Sequence, residues 1–144
     1  MIDMFLGEYT HSIDEKGRLT IPAKFRGELD SGLVVTRGLD RNLLVFTMGE
    51  WQELAQKIAQ IPISDRSARA FSRRVFSGAV DLVPDRQGRI LLPVTLREFA
   101  NLGDEAVIIG MYNYAEIWNA DAWNPVRDDI ENSDDFERWQ NLGI

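Results

Sequence analysis

The sequence predicts a β-rich α+β fold in which two pseudo-symmetric halves interlock into one small barrel, with helices between and after them. Three observations carry this prediction. The first is a repeat: DEKGRLTIP at residues 14–22 returns as DRQGRILLP at residues 85–93. At an offset of 71, Asp14, Gly17, Arg18, Pro22 and Arg26 meet Asp85, Gly88, Arg89, Pro93 and Arg97; after one inserted residue, Gly38 meets Gly110 and Trp51 meets Trp123. An ordered series of this kind marks a duplication. The second is size. The repeated unit covers roughly residues 7–51 and 78–123, and chains this short rarely bury enough to fold without a metal, a disulfide or a partner. With no cysteine and one histidine in the chain, the available partner of each half is the other half. The third is local: each unit reads as short strands around a single helix headed by proline.

In chain order, Glu8–Ile13 and Arg18–Ile21 read as strands about a tight turn. Pro22–Leu29 reads as a helix, because proline suits the first helical position, where its missing N–H has no partner to lose. Phe25 and Leu29 then form an i,i+4 apolar pair. Leu33–Arg37 and Leu43–Met48 are strands joined by Gly38–Asn42. The second half follows with strands Ala79–Val83 and Arg89–Leu92, helix Pro93–Asn101, and strands Ala106–Ile109 and Tyr114–Trp118. Between the halves, Trp51, Leu54, Ile58 and Ile61 make one apolar helical stripe, and SDRSARAFSRRVF starts a second helix with Ser64 as its N-cap. The expected organisation is a first repeat domain at 8–50, a helical connector at 51–78, a second repeat domain at 79–122 and a helical, acidic tail at 123–144.

Charge narrows the function classes. The net charge is −7, but residues 121–144 hold seven acids and two bases, whereas residues 65–97 hold seven arginines against three aspartates. A ligand feels the local field, because physiological salt screens charge beyond about 8–10 Å. A basic region therefore remains available to a polyanion. No apolar run approaches the ~20 residues of a membrane span, and the N-terminus lacks the basic-then-apolar order of a secretory signal. A cytoplasmic protein is expected, without membrane, metal, cofactor or small-molecule substrate. No P-loop, dinucleotide fingerprint or nucleophile elbow occurs, so an enzyme is not expected. Acid pairs such as Asp134-Asp135 lie in the tail, away from any pocket, and the lone His11 belongs in or beside a strand.

The repeated turn carries the chemistry. Asp14 can accept hydrogen bonds from backbone N–H groups further along the loop, and Gly17 can take a positive φ. Turn geometry needs that Asp and Gly; it does not need an arginine directly after the glycine. An exposed Asp–Arg pair adds only about 0–1 kcal/mol, so stability alone does not explain Arg18 and Arg89. A guanidinium held by a neighbouring carboxylate is suited to bidentate contact with phosphate or with guanine in a major groove. The candidate DNA-contact set is Asp14, Lys16, Arg18, Asp85, Arg86 and Arg89, with Gly17 and Gly88 as structural turn residues. Lys24 and Arg26 read as a solvated helix face. Arg66, Arg69, Arg73 and Arg74 read as subunit or DNA contacts, and Trp51, Trp118 and Trp123 as packing residues.

Taken together, MFLGEYTHSIDEKGRLTIPAKFR, TRGLD, ARAFSRRVFSGA and DRQGR resemble the MraZ family, which carries two tandem SpoVT-AbrB-type domains. The resemblance runs from Met4 to at least Trp123 and sets Met1–Asp3 apart as an extension or alternative start. It implies swapped-hairpin halves and a sequence-specific DNA-binding transcriptional regulator. It also implies action on short promoter repeats upstream of the division and cell-wall gene cluster, the regulator's own promoter included. The implied state is a ring-like homo-oligomer at the nucleoid. The family's D-x-x-x-R motif falls on Asp14–Arg18 and Asp85–Arg89; the lysine at its third position is present as Lys16 and replaced by Gln87, beside Arg86. The alternative is an oligomeric protein-interaction scaffold without sequence-specific DNA binding.

Overall fold

The first strand of each half finds its partner in the other half. The computed structural model describes residues 4–132 and 136–143; Met1–Asp3 and the acid pair Asp134-Asp135 lie outside the described residues. The first half runs β1 (Glu8–Ser12), β2 (Arg18–Thr20), α1 (Ala23–Leu29), β3 (Leu33–Arg37) and β4 (Leu43–Thr47). Two connecting helices follow, α2 (Met48–Ala59) and α3 (Arg66–Ser77). The second half repeats the order with β5 (Val80–Leu82), β6 (Arg89–Leu91), α4 (Val94–Phe99), β7 (Glu105–Gly110) and β8 (Ala115–Trp118). The chain ends in α5 (Ala120–Asn132) and α6 (Phe136–Gln140).

Six strands form an antiparallel sheet in the order β1-β7-β8-β4-β3-β5, while β2 and β6 form a separate two-stranded ribbon. The order is a palindrome under the repeat, with its pseudo-twofold between β8 and β4. Strand β1 pairs along β7, from Glu8 opposite Ile109 to Ser12 opposite Glu105, and β5 pairs along β3, from Leu33 opposite Leu82 to Val35 opposite Val80. Strands β1 and β5 stand at the ends of this order, and among the described residues the expected small barrel is not seen as a closed ring of paired strands. Strands β2 and β6 are each three residues long and soon meet Pro22 or Pro93, whose ring fixes φ and removes a donor. The ribbon touches the chain just past β1 through an Ile13–Leu19 bridge.

One core serves both halves. Leu19 and Phe25 from the first meet Ile90 and Leu96 from the second, all at or below 3% exposure. Strand β7 is buried on both faces, as its AVII run requires. A smaller cluster under α5 joins Val107, Ile109, Trp118 and Trp123, the two indoles 5.4 Å apart. On the first half, Trp51 of α2 packs against Phe46 and Phe76. The three tryptophans are packing residues, and His11 lies half-buried in β1.

Three helix starts differ from expectation. Pro22 and Pro93 stand one position earlier, as the N-cap residues of α1 and α4. Asp65, not Ser64, caps α3: its carboxylate accepts from the Ala68 N–H at 3.0 Å, after Asp65 N–H has closed a turn onto the Pro62 carbonyl. Among the described residues no helix is long and apolar enough to cross a membrane.

Candidate nucleic-acid interface

The candidate interface is built on the β2–β6 ribbon. Leu19 faces Ile90 across it, and both point into the core at 1% exposure. Directly opposed residues of an antiparallel pair share a face, and successive residues alternate. Arg18, Thr20, Arg89 and Leu91 therefore share the outer face, with Arg18 opposite Leu91 and Thr20 opposite Arg89. The two repeated arginines stand side by side on one solvent-facing ribbon, their side chains 34% and 26% exposed.

Each arginine is held by its own turn. The Asp14 carboxylate accepts from the backbone N–H of Lys16 at 3.0 Å and of Arg18 at 2.9 Å, and from Arg18 Nε at 2.6 Å. Asp85 does the same for Gln87 N–H, Arg89 N–H and Arg89 Nε, each at 2.9 Å. Gly17 and Gly88 close the turns with N–H bonds to the Asp14 and Asp85 carbonyls, at φ of +90° and +75°. The carboxyls of Asp14 and Asp85 sit below the ordinary carboxylate value, first because of the Arg18 and Arg89 backbone N–H groups. Partial desolvation opposes this, and the arginine side chains reinforce it. The turns also touch: Arg89 Nη1 lies 3.7 Å from Asp14 Oδ2. Lys16, Arg86 and Gln87 are exposed at the tips.

The turns are locked by strand exchange. Ile21 N–H donates to the Gly88 carbonyl at 2.8 Å, and Leu92 N–H to the Gly17 carbonyl at 2.9 Å. Above them lie two arginines that the sequence reading placed otherwise or passed over. Arg26 is half-buried rather than on a solvated face. Its Nε donates to the Ile21 carbonyl at 3.1 Å, and its guanidinium fills the space a Cβ on Gly88 would need. Arg97 mirrors it: its Nε donates to the Leu92 carbonyl at 3.0 Å, and its guanidinium would lie 2.8 Å from a Cβ on Gly17. Each half thus roofs the other half's turn. The signal was present in the sequence, because Arg26 and Arg97 recur at the same offset as Arg18 and Arg89. Lys24 is exposed on α1 as expected.

The basic helix α3 divides. Arg74 Nε donates to the Gly38 carbonyl at 2.9 Å, and Arg69 Nη1 to the Ile63 carbonyl at 2.8 Å. These two hold the fold. Arg66 and Arg73 remain exposed.

The fold and this site define a class: a tandem-repeat protein whose exchanged halves present two equivalent arginine-bearing turns on one ribbon. Both halves match one family's sequence model, described as "MraZ protein, putative antitoxin-like", over residues 4–74 and 75–141. The chain is 54% identical over 123 residues to the "Transcriptional regulator MraZ" of Roseiflexus castenholzii, covering 85% of this chain and 86% of that one. It is 54% identical over 125 residues to the protein of that name from Herpetosiphon aurantiacus, covering 87% of each. A third, from Roseiflexus sp., is 52% identical over 123 residues, 85% of this chain and 86% of the relative. The chain belongs to the MraZ family.

Proposed function

We propose that this protein is a sequence-specific DNA-binding transcriptional regulator that reads duplex DNA with the outer face of the β2–β6 ribbon. One observation carries the reading: Arg18 and Arg89 leave the same face of the same ribbon, each with its Nε fixed by an aspartate. A two-stranded ribbon fits a major groove of about 12 Å width. Held this way, each guanidinium keeps its terminal nitrogens for a base edge or phosphate and loses little conformational freedom on binding. Asp14 and Asp85 orient; Arg18 and Arg89 read; Lys16 and Arg86 reach phosphates on either side. The relatives carry the name transcriptional regulator, which supports the same role here.

The repeat domains at 8–50 and 79–122 form one reading unit, so each protomer has one small footprint. Useful affinity then needs several protomers on repeated sites at once. A ring-like homo-oligomer acting on short repeats upstream of the division and cell-wall genes, its own promoter among them, meets that need. The protein would work in the cytoplasm at the nucleoid. Selection of bound fragments from a random DNA pool tests the reading, followed by gel shifts of Arg18→Ala and Arg89→Ala. The expected result is one enriched motif and a loss of roughly tenfold to hundredfold for each variant, as for a lost bidentate base contact. Thermal stability and oligomer size should be nearly unchanged. A pool without enrichment would support the scaffold alternative instead.

A further inference from the structure

Away from the ribbon, three guanidinium groups gather on one ring. The guanidinium carbons of Arg41, Arg74 and Arg37 lie 4.9, 5.0 and 5.8 Å from the centroid of Phe99. Phe99 is the last residue of α4, Arg37 ends β3, and Arg41 lies in the β3–β4 loop. Two of the arginines are fixed by the fold: Arg37 Nε donates to the Arg74 carbonyl at 3.0 Å, and Arg74 Nε to the Gly38 carbonyl. Arg41 is exposed, and its backbone has φ +57°, a conformation that glycine or asparagine adopts with less strain. Among the described residues no carboxylate forms an ion pair with any of the three. An open cavity of about 560 Å³ is lined by Arg37 and Phe99 of this cluster, with Glu98 the one acid in its lining.

Duplication does not account for this cluster. In the other half, Phe99, Arg37 and Arg41 correspond to Glu28, Ile109 and Asn113. Like charges brought together with no ion-paired carboxylate raise the local potential and draw an anion.

We propose that Arg37, Arg41 and Arg74, gathered on Phe99, form a clamp for the phosphate backbone of the DNA held by the ribbon. The inference rests on the ribbon reading above. Charge favours this occupant. The first turn holds Asp14, Glu15, Lys16 and Arg18, which sum to zero; the second holds Asp85, Arg86 and Arg89, which sum to +1. Phosphate neutralisation supplies most of the non-specific affinity for DNA, and the turns alone supply little of it. Helix α4 connects the two places, with Arg97 against Gly17 and Phe99 two residues on. Because only one half has the clamp, a protomer would engage its site in one orientation.

The test uses the full-length protein with Arg41→Asn and Arg41→Lys. The probes are a duplex recovered from a random pool by the wild type and a scrambled duplex of equal composition. Affinity is measured from about 50 to 300 mM salt, where phosphate contacts dominate the slope, with oligomer size and thermal midpoint alongside. Arg41→Asn should weaken both duplexes alike, by about threefold to tenfold, and lower the log–log salt slope by about one. Its thermal midpoint should be unchanged or raised, and Arg41→Lys should restore the slope. An unchanged slope would overturn the clamp. So would a loss confined to the recovered duplex. A changed oligomer size with an unchanged slope would also overturn it, assigning the cluster to the acidic segment of a second copy. If Arg18→Ala binds normally while Arg41→Asn loses slope, the ribbon reading fails and the clamp stands.

Discussion

The two turns agree in frame and differ at the tip. In both, the Asp N–H donates to the Arg carbonyl, at 3.0 Å in the first and 2.9 Å in the second, and the Gly N–H to the Asp carbonyl at 3.0 Å. The backbone hydrogen bonds to each aspartate carboxylate agree to 0.1 Å where they correspond. The tips share nothing: Glu15-Lys16 in one, Arg86-Gln87 in the other. The fold dictates the frame, because each turn is closed by the opposite half and roofed by its arginine. Among the described residues the tip side chains make no hydrogen bond or ion pair with the fold; only backbone N–H groups at the tips do. The chemistry of those side chains is left to whatever the ribbon meets.

The sharpest way to break the comparison is to remove what the turns share. Leu19 and Ile90 face each other at 1% exposure beneath the ribbon. Leu19→Ala and Ile90→Ala should each cost about 2–5 kcal/mol by leaving a cavity, read as a drop in denaturation midpoint. Because the ribbon is one element, either variant should raise protease sensitivity at both turns together. Cleavage at only the mutated turn would show that the turns are independent.

Next in size are the glycines. Gly17→Ala and Gly88→Ala force a Cβ to positive φ and into a guanidinium, at a cost of about 1–3 kcal/mol each. If the roofing arginine matters, Gly88→Ala combined with Arg26→Ala should be less unstable than the single losses summed. Strict additivity in chemical denaturation would leave backbone conformation as the whole cost.

The tips come third. Lys16→Gln should lower the salt slope of DNA binding by about one and Gln87→Lys should raise it by about one, with the fold unmoved in both. Equal slopes for both variants and the wild type would remove the tips from the interface.

These effects track what could be read in the sequence. The Asp-x-x-Gly-Arg frame was legible because turn chemistry is local: a side-chain acceptor, a positive φ and a neighbouring arginine within five residues. Strand positions were legible from short apolar runs bounded by turn residues. Ribbon pairing was not, because two three-residue strands 71 positions apart carry no register signal of their own, and the expected barrel depended on that register. The Asp65 cap went to the neighbouring Ser64, since the Pro62–Asp65 turn that decides between them exists only in three dimensions. Arg26 and Arg97 needed the repeat argument a second time. The Phe99 cluster joins three segments whose only common property is where the fold puts them.

The smallest effect concerns protons, and it separates the frame from the tips. Asp14 and Asp85 have carboxyls depressed in the folded state. A depressed acid contributes stability that is fully present above its ordinary unfolded value, about 3.9, and is lost as pH falls through the lower folded value. Between pH 8 and 5 both frames stay ionised, so neither turn should show a pH response in that window. Below it they should fail together, because the same backbone N–H groups hold both. Asp85→Asn keeps an acceptor for those N–H groups and loses the ion pair with Arg89. The thermal midpoint of this variant should lie slightly below that of the wild type at pH 6. The gap should narrow as pH falls below the ordinary carboxylate value toward the lower folded one. A gap that stays constant over that range would mean that the carboxylate charge contributes nothing to the frame, and that Arg89 is positioned by Asp14 and the ribbon alone.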